Sequence, residues 1–255
     1  MIDIHSHILP GLDDGAQDLA ESIAMARMAQ ADGVKEIIAT PHNANWMGSR
    51  REEVLSLAKD LQAELEAKGI DVRIVPGVEV YLVPELARQL ATGQAFTLDE
   101  TRYLLLELPL SAYPVYTEQV IFELQVRGIV PVLAHPERNV AFQEDVNLLF
   151  PLVERGALVQ LTAASLEGIF GPLALETARI MLEHKLAHFI ASDAHGLINR
   201  TPVLSKGVEE AAKVIGPEGA RAMVEGRPAA LLRDEEITAE PPVKYMPKRR
   251  WFWQG

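Results

Sequence analysis

The sequence has 255 residues, contains no cysteine, and carries 24 Lys and Arg against 36 Asp and Glu, which gives a net charge of −12. This length allows one large domain or two small ones. The absence of thiols excludes disulfides, thiolate metal sites and cysteine nucleophiles, and the acidic balance argues against nucleic-acid binding through charge. The chain has no recognisable secretion signal and no apolar run of about 20 residues that could span a membrane, so we expect a cytoplasmic protein.

Apolar and amphipathic stretches alternate along the chain. A two-residue period of apolar side chains predicts strands, and a period of about 3.6 residues predicts helices, several of which end near a glycine. The predicted strands cover residues 1–7, 36–40, 72–75, 103–108, 130–134, 158–162 and 189–192. The predicted helices cover residues 17–31, 50–68, 84–91, 117–127, 143–155, 172–185, 204–215 and 217–225.

Seven strands that are each followed by helix predict an α/β protein with a parallel sheet covered by helices. Such units fit a closed or nearly closed (β/α) barrel. A doubly wound open sheet is the alternative, because strand count does not distinguish the two.

We assign residues 1–237 to this domain and residues 238–255 to a tail. From Pro241 onward the tail has four Lys or Arg, no acid, and the run Trp-Phe-Trp at residues 251–253, so it either packs on the domain or docks a partner or a membrane.

Polar side chains cluster where the predicted strands end. His5 and His7 alternate with isoleucines, so both leave the first strand on the same side. Six more polar residues end or follow later strands: His42, Glu79, Glu107, His135, Asp193 and His195. The carboxyl ends of barrel strands meet at one rim, where barrel enzymes build their sites. Five of the seven histidines therefore gather at this rim, whereas we interpret His184 and His188 as structural.

This collection of side chains predicts a metal centre. Histidine and carboxylate ligands without sulfur suit several divalent metals. Eight candidates exceed the number that one ion needs, so we expect two or three neighbouring ions that share carboxylates, an arrangement suited to phosphate-ester cleavage. The loop after the first strand adds Asp13 and Asp14. Asp-Asp-Gly is ordinary turn material, but we favour Asp14 as a further ligand because it lies beside the strand histidines.

Two arginines complete the candidate site. Arg138 ends the run His-Pro-Glu-Arg, and Arg200 lies five residues beyond the last rim histidine. Both could reach the rim, where guanidinium groups bind phosphate oxygens in pairs and stabilise developing charge. The alternative is a surface ion pair, for example between Arg138 and Glu137 or Glu144.

Five runs make the interpretation more specific. They are, in chain order, Asp-Ile-His-Ser-His-Ile-Leu-Pro-Gly-Leu-Asp-Asp-Gly-Ala, Thr-Pro-His, Pro-Gly-Val-Glu, Leu-Ala-His-Pro-Glu-Arg and Ser-Asp-Ala-His. Together they resemble the PHP (polymerase and histidinol phosphatase) superfamily across residues 1–235. The first and fourth runs resemble, more narrowly, the bacterial protein-tyrosine phosphatases that act with capsular and exopolysaccharide tyrosine kinases.

The resemblance implies a distorted (β/α)7 barrel, similar to a TIM barrel, that holds three divalent ions. Manganese is expected first, with iron, zinc or cobalt as alternatives. The implied ligands are His5, His7, Glu79 and Asp193 for one ion, Glu79, His42 and His135 for a second, and Asp14, Glu107 and His195 for a third. The resemblance also implies phosphate contacts from Arg138 and Arg200, and we expect Asp3 to orient a histidine ligand.

The implied reaction is hydrolysis of phosphotyrosine in proteins. A metal-activated hydroxide would attack phosphorus in line, without a phosphoenzyme. The expected partner is a phosphotyrosine protein, the tail of a tyrosine autokinase that acts in capsule or exopolysaccharide production. Trp46, Tyr113 or Phe170 could flank the substrate ring, or could simply pack their own loops.

Other functions remain open at this point. A histidinol-phosphate phosphatase would use the same barrel and metals. An amidohydrolase also begins with His-x-His, but usually has eight strands and a bridging lysine where this chain has Glu107. A metal-binding regulatory module without turnover would be expected to have lost a ligand, and none is lost here. A nuclease like the polymerase-associated PHP domains is disfavoured by the acidic charge.

Overall fold

Parallel strands alternate with helices along the chain, which confirms the predicted α/β class. The structure, a computed structural model, describes residues 1–43 and 50–246. Its strands are β1 (Ile2–Ser6), β2 (Glu36–Ala39), β3 (Arg73–Pro76), β4 (Glu79–Tyr81), β5 (Tyr103–Glu107), β6 (Val130–Ala134), β7 (Leu158–Thr162) and β8 (Phe189–Ala191). Its helices are α1 (Leu19–Ala31), α2 (Arg51–Ala67), α3 (Leu86–Ala91), α4 (Thr117–Val126), α5 (Val140–Glu144), α6 (Phe150–Glu154), α7 (Ala163–Leu166), α8 (Pro172–Glu183), α9 (Ser205–Ala222) and α10 (Gly226–Leu232). Of the helices described here, none has the length and apolar character needed to cross a bilayer.

The strands divide between two parallel sheets. β1, β2 and β3 form one sheet, and β4 to β8 form the other, each in chain order. This order lacks the reversal that defines a doubly wound sheet. Two isolated bridges join the sheets, since Ser6 pairs with Ala194 and His42 pairs with Glu79. Because the strands lie in two sheets, the (β/α)7 barrel stays a prediction.

The described residues form one strand more than the seven predicted, because the chain breaks after β3. Pro76 has no N–H to donate to a neighbouring strand. Gly77 lies so close to β2 that an added Cβ would come within 2.8 Å of a side-chain atom there. β4 then begins at Glu79, whose N–H donates to Pro41 O at 3.1 Å. The break therefore places Glu79 beside the loop that carries His42.

The predicted helix over residues 143–155 is wrong, because α5 and α6 form instead and a 3₁₀ turn separates them. Asn139 Oδ1 accepts from the N–H groups of Ala141 and Phe142 and so caps α5. Asp145 is extended, with φ −142° and ψ 95°, and its side chain caps the 3₁₀ turn. Short polar side chains of this kind compete with helical hydrogen bonds for the backbone.

Two hydrophobic clusters fill the interior. Leu104 and Leu106 of β5 belong to the larger cluster, which includes helix residues such as Met25, while Leu105 belongs to a smaller cluster that joins side chains from both sheets. Side chains alternate between the two faces of a strand, so one face of β5 packs against helices and the other faces the smaller cluster. Glu107 lies two residues beyond Leu105 and therefore points to the same side, at the end of that cluster.

The described part of the predicted tail lies against the domain. Val243 N–H donates to His184 O at 2.9 Å. Tyr245 N–H donates to Asn147 Oδ1 at 3.0 Å, and Asn147 Nδ2 donates to Tyr245 O at 3.0 Å. The aromatic run at residues 251–253 lies outside the described residues, and the boundary at residue 237 stays a prediction.

Candidate metal centre

All nine predicted metal ligands come together in one cluster. They form four overlapping groups, and within each group the candidate ligand atoms lie within 4.8 Å of one another. The groups are His5, His7 and Asp193; His5, Glu79 and His135; His42, Glu79 and Glu107; and His7, Asp14, His42 and His195. The convergence follows from parallel strands whose ends meet at one edge. Their role as ligands stays a prediction.

The most buried part of the cluster has the donor set of a cation site. His5 Nε2 lies 3.1 Å from His7 Nε2, 3.3 Å from Glu79 Oε2 and 3.3 Å from Asp193 Oδ1. Both carboxylate oxygens are buried, and the imidazole nitrogens around them are not aligned for hydrogen bonds of normal geometry, a state that is costly unless another group satisfies them. Two imidazole nitrogens and two carboxylate oxygens that face one another suit a divalent ion such as manganese, iron or zinc.

Glu79 lies at the centre of the cluster. Its Oε1 atom is 3.0 Å from His135 Nε2, and its Oε2 atom is 2.8 Å from His42 Nδ1 and 3.4 Å from His7 Nε2. The side chain is fully buried. The carboxylate therefore presents its two oxygens to separate histidines, and the bridging role that the resemblance implies for Glu79 stays a prediction.

The outer ligands group differently from the expected third set. Asp14 Oδ1 lies 3.3 Å from His195 Nε2 and 3.6 Å from His42 Nε2. Glu107, in contrast, lies with His42 and Glu79, its Oε2 atom 3.7 Å from His42 Nδ1. Asp14 is also the most exposed candidate, with 65% of its side chain accessible. The assignment of Asp14, Glu107 and His195 to one ion therefore stays a prediction.

Two polar residues orient His5 of β1 and His7, which directly follows this strand. His5 Nδ1 donates to Gln160 Oε1 at 3.0 Å, and His7 Nδ1 donates to Asp13 Oδ2 at 2.7 Å. When Nδ1 carries the proton, Nε2 is left free to bind a metal, and such partners raise ligand basicity and fix the ring. Asp13 is one of the two loop carboxylates that the sequence offers beside these histidines, whereas Gln160 is not predicted from the sequence. The available signal for Gln160 is a glutamine at the centre of strand β7 with apolar residues on both sides.

Asp3 contacts the backbone of His5 and Ser192, and its expected role in orienting a histidine ligand stays a prediction. It is buried, and its Oδ1 atom accepts from His5 N–H at 3.3 Å and from Ser192 N–H at 3.0 Å. Ser192 Oγ donates to Asp3 Oδ2 at 2.5 Å. Asp3 therefore fixes the backbone on which a ligand sits, and these contacts do not involve a histidine ring. Burial raises the pKa of Asp3 to about 6, against the opposing effect of the Ser192 hydrogen bonds.

Both predicted arginines converge on one carboxylate oxygen. Arg138 Nη1 lies 2.5 Å and Arg200 Nη2 lies 2.6 Å from Asp193 Oδ2. Arg138 thus reaches the cluster, and Glu137, its proposed surface partner, is buried and accepts from Ser165 Oγ at 2.6 Å. The two guanidinium groups bring positive charge to the edge of a site rich in carboxylates.

Neighbouring groups of opposite charge shift the pKa values of side chains in the cluster. Burial opposes ionisation of Glu79 and Asp193, but the neighbouring histidines outweigh it and hold the pKa of each carboxyl well below its usual value. Burial likewise lowers the pKa of His5, yet the charges of Glu79 and Asp193 raise it overall. A bound cation would replace these histidine protons, as metal binding generally does.

The aromatic candidates differ in their surroundings. The Phe170 ring lies 4.4 Å from the guanidinium carbon of Arg138, so it borders the cluster. Tyr113 makes an edge contact with Phe142, with ring centroids 5.7 Å apart, as expected for loop packing. Trp46 lies outside the described residues.

Comparison with known proteins identifies relatives across nearly the whole chain. Residues 1–233 match the family model for capsular polysaccharide synthesis, CpsB/CapC. The chain is 40% identical over 243 residues to the tyrosine-protein phosphatase YwqE of Bacillus subtilis (strain 168), covering 95% of each protein. It is 35% identical over 255 residues to the putative tyrosine-protein phosphatase CapC of Staphylococcus aureus, covering 99% of each.

A solved structure agrees with these matches. The chain superposes with a TM-score of 0.92 and 40% identity on a chain from the crystal structures of YwqE from Bacillus subtilis and CpsB from Streptococcus pneumoniae, unique metal-dependent tyrosine phosphatases. The superposition covers 97% of this chain and 100% of the other. This chain therefore belongs to the CpsB/CapC family of capsular polysaccharide synthesis.

Proposed function

We propose that this chain is a metal-dependent tyrosine-protein phosphatase, which hydrolyses phosphotyrosine in proteins. The observation that carries the proposal is the buried set of two imidazole nitrogens and two carboxylate oxygens that face one another around His5. Relatives at 40% and 35% identity that are tyrosine-protein phosphatases, the latter putative, support the same activity.

Nine residues would bind the metal ions, and two others orient histidines among them. His5, His7, Asp14, His42, Glu79, Glu107, His135, Asp193 and His195 would hold two to three divalent ions. Such ions, when bound, supply a water of lowered pKa as the nucleophile and neutralise charge on the phosphate. Gln160 and Asp13 keep the Nε2 atoms of His5 and His7 turned into the cluster.

Arg138 and Arg200 are the candidate phosphate-binding groups. Each has a guanidinium nitrogen at Asp193 Oδ2, beside the proposed ions, where paired N–H donors can take the equatorial oxygens of a phosphoryl group and stabilise the charge that builds there. The chain has no cysteine, so phosphate passes to water without a thiol intermediate.

Finer assignments complete the proposal. We place the chain in the PHP superfamily, with a distorted (β/α)7 barrel and manganese as the preferred metal. The proposed substrate is the phosphotyrosine tail of a tyrosine autokinase that acts in capsule or exopolysaccharide production, and the proposed compartment is the cytoplasm. The family description, capsular polysaccharide synthesis, supports the process, and the donor set of histidine and carboxylate supports the class of metal.

The test pairs elemental analysis of freshly purified protein with hydrolysis assays. We expect manganese-supported release of phosphate from a phosphotyrosine peptide, with much slower release from histidinol phosphate. Removal of metal by a chelator should abolish turnover, and added manganese should restore it. Faster hydrolysis of histidinol phosphate would assign the rival phosphatase activity, and metal binding without turnover would assign a regulatory module. His184→Gln, which changes a histidine outside the cluster, is the matched control.

A further inference from the structure

Most of the large hydrophobic side chains that are exposed in the described residues lie beyond β5. Ten of the eleven do so: Leu110, Val115, Phe122, Val126, Val140, Ile169, Leu173, Ile198, Val243 and Met246. Single exposed apolar residues are normal on a protein surface. The informative feature is the subset that adjoins the candidate site.

Four of these residues are connected to the arginine that borders the site. Val140 lies two residues beyond Arg138, and its N–H donates to Leu110 O at 2.8 Å. The Phe170 ring stacks on Arg138 at 4.4 Å, and Ile169 precedes it in the chain. Leu173 lies in the first turn of α8, three residues beyond Phe170. We call Leu110, Val140, Ile169 and Leu173 the apolar rim.

We propose that the apolar rim binds the apolar side chains that flank phosphotyrosine in the substrate protein. This inference rests on the proposed function and specifies its substrate class. The phosphotyrosine side chain must enter beside Arg138, so the residues covalently attached to it on either side necessarily cross the surface around the mouth. Ile169 and Leu173 are 57% and 61% exposed, so apolar neighbours of the phosphotyrosine would remove them from water. The net charge of −12 makes acidic flanking residues the disfavoured alternative.

The test compares the substrate specificity of three proteins, the wild type and two variants, on three substrates. The rim variant Ile169→Ser/Leu173→Ser leaves every metal ligand and both arginines unchanged. The control variant Phe122→Ser/Val126→Ser changes two residues of α4 that are equally exposed, at 62% and 68%. The substrates are a peptide with leucine and valine on both sides of phosphotyrosine, a matched peptide with serine there, and p-nitrophenyl phosphate, which has no flanking residues.

We expect the wild-type protein, loaded with manganese, to favour the apolar peptide over the serine peptide by about 10-fold in kcat/KM, the effect of a modest hydrophobic contact. The rim variant should lose this preference, while its kcat/KM for p-nitrophenyl phosphate stays at the wild-type value. The control variant should retain the preference. A non-hydrolysable apolar peptide that carries a phosphonate should show the same order in equilibrium binding, which provides a readout independent of turnover.

Several results would overturn the proposal. Equal kcat/KM for the two peptides with wild-type protein would remove any role for flanking side chains. An equal loss on all three substrates would make the rim a structural support of the site. A changed oligomeric state of the rim variant with unchanged peptide kinetics would assign the surface to a second copy of the chain. Failure of the proposed function itself would be recognised separately, because the wild-type protein would then hydrolyse none of the three substrates with any metal.

Discussion

Gln160 offers the sharpest test of how the chain holds its metals. Its Oε1 atom accepts from His5 Nδ1 at 3.0 Å and lies 3.4 Å from the N–H of His135, and the side chain is completely buried. Gln160→Leu keeps a side chain of similar size but leaves the Nδ1–H of His5 without an acceptor. The ring is then free to change tautomer or rotate, and Nε2 is no longer held toward Glu79 and Asp193.

The size of the effect can be estimated in two ways that agree. Loss of a partner that orients a metal ligand typically weakens metal affinity by about 10- to 100-fold, or roughly 1.4–2.7 kcal/mol. A buried donor left without a partner costs about 1–3 kcal/mol. Because metal binds the folded state, stabilisation by excess manganese should fall by about the same 1.4–2.7 kcal/mol.

The assay is a manganese titration against a competing chelator, with Tm measured at each metal concentration. Gln160→Glu should preserve most of the affinity, because a carboxylate can accept from Nδ1 as the amide does. Thr162→Val is the matched control, since Thr162 lies on the same strand, is buried, and its Oγ1 atom has no hydrogen-bond partner. Equal manganese affinity in Gln160→Leu and wild-type protein would refute the idea that this hydrogen bond prepares the site.

Three further predictions concern the cluster and its edge. Glu79→Gln should lose bound metal and turnover while keeping a cooperative unfolding transition, and wild-type rates in metal-depleted buffer would contradict the central role of this carboxylate. Arg138→Ala and Arg200→Ala should each lower kcat/KM by about 100-fold with metal content unchanged, and normal values in both would remove them from the site. Gly15→Ala should disturb the loop of Asp13 and Asp14, because an added Cβ would lie 2.1 Å from His7 O. Elemental analysis of this variant should show less bound metal than in the wild type. A full complement of metal would show that the loop can move aside.

The positions of the candidate ligands could be predicted from sequence because they depend on topology. Strands joined by helices run parallel, so polar residues at their ends meet at one edge whatever the details of packing. His5, His7 and His135 are placed in this way. Glu107 follows the same logic, since it continues the alternation of β5 beyond Leu105.

Two kinds of feature could not be predicted: those that depend on competition between side-chain and helical hydrogen bonds, and those that depend on contacts between side chains of different strands. Asp145 caps a 3₁₀ turn where the apolar period suggested continuous helix, and the contact between Gly77 and β2 that precedes β4 joins segments far apart in sequence. The pairing of Glu107 with His42, instead of with Asp14 and His195, depends on side chains that extend between strands. Gln160 could not be predicted because an amide is not a typical metal ligand, although it accepts a hydrogen bond from a candidate ligand, His5.

The charges of the site imply that metal must bind before phosphate. The candidate ligands include four carboxylates, and Asp13 beside His7 adds a fifth. Arg138 and Arg200 contribute two positive charges, and the raised pKa values of His5, His7 and His42 favour three more. The metal-free site is therefore near neutral when these histidines are protonated and negative when they are not. Two divalent ions would displace those protons and make the same site positive. Inorganic phosphate should therefore bind measurably to manganese-loaded protein by isothermal titration calorimetry and at least 10-fold more weakly to metal-free protein. Equal phosphate affinity in the two forms would mean that the arginines alone attract the substrate, and the ions would then have to act on the chemical step only.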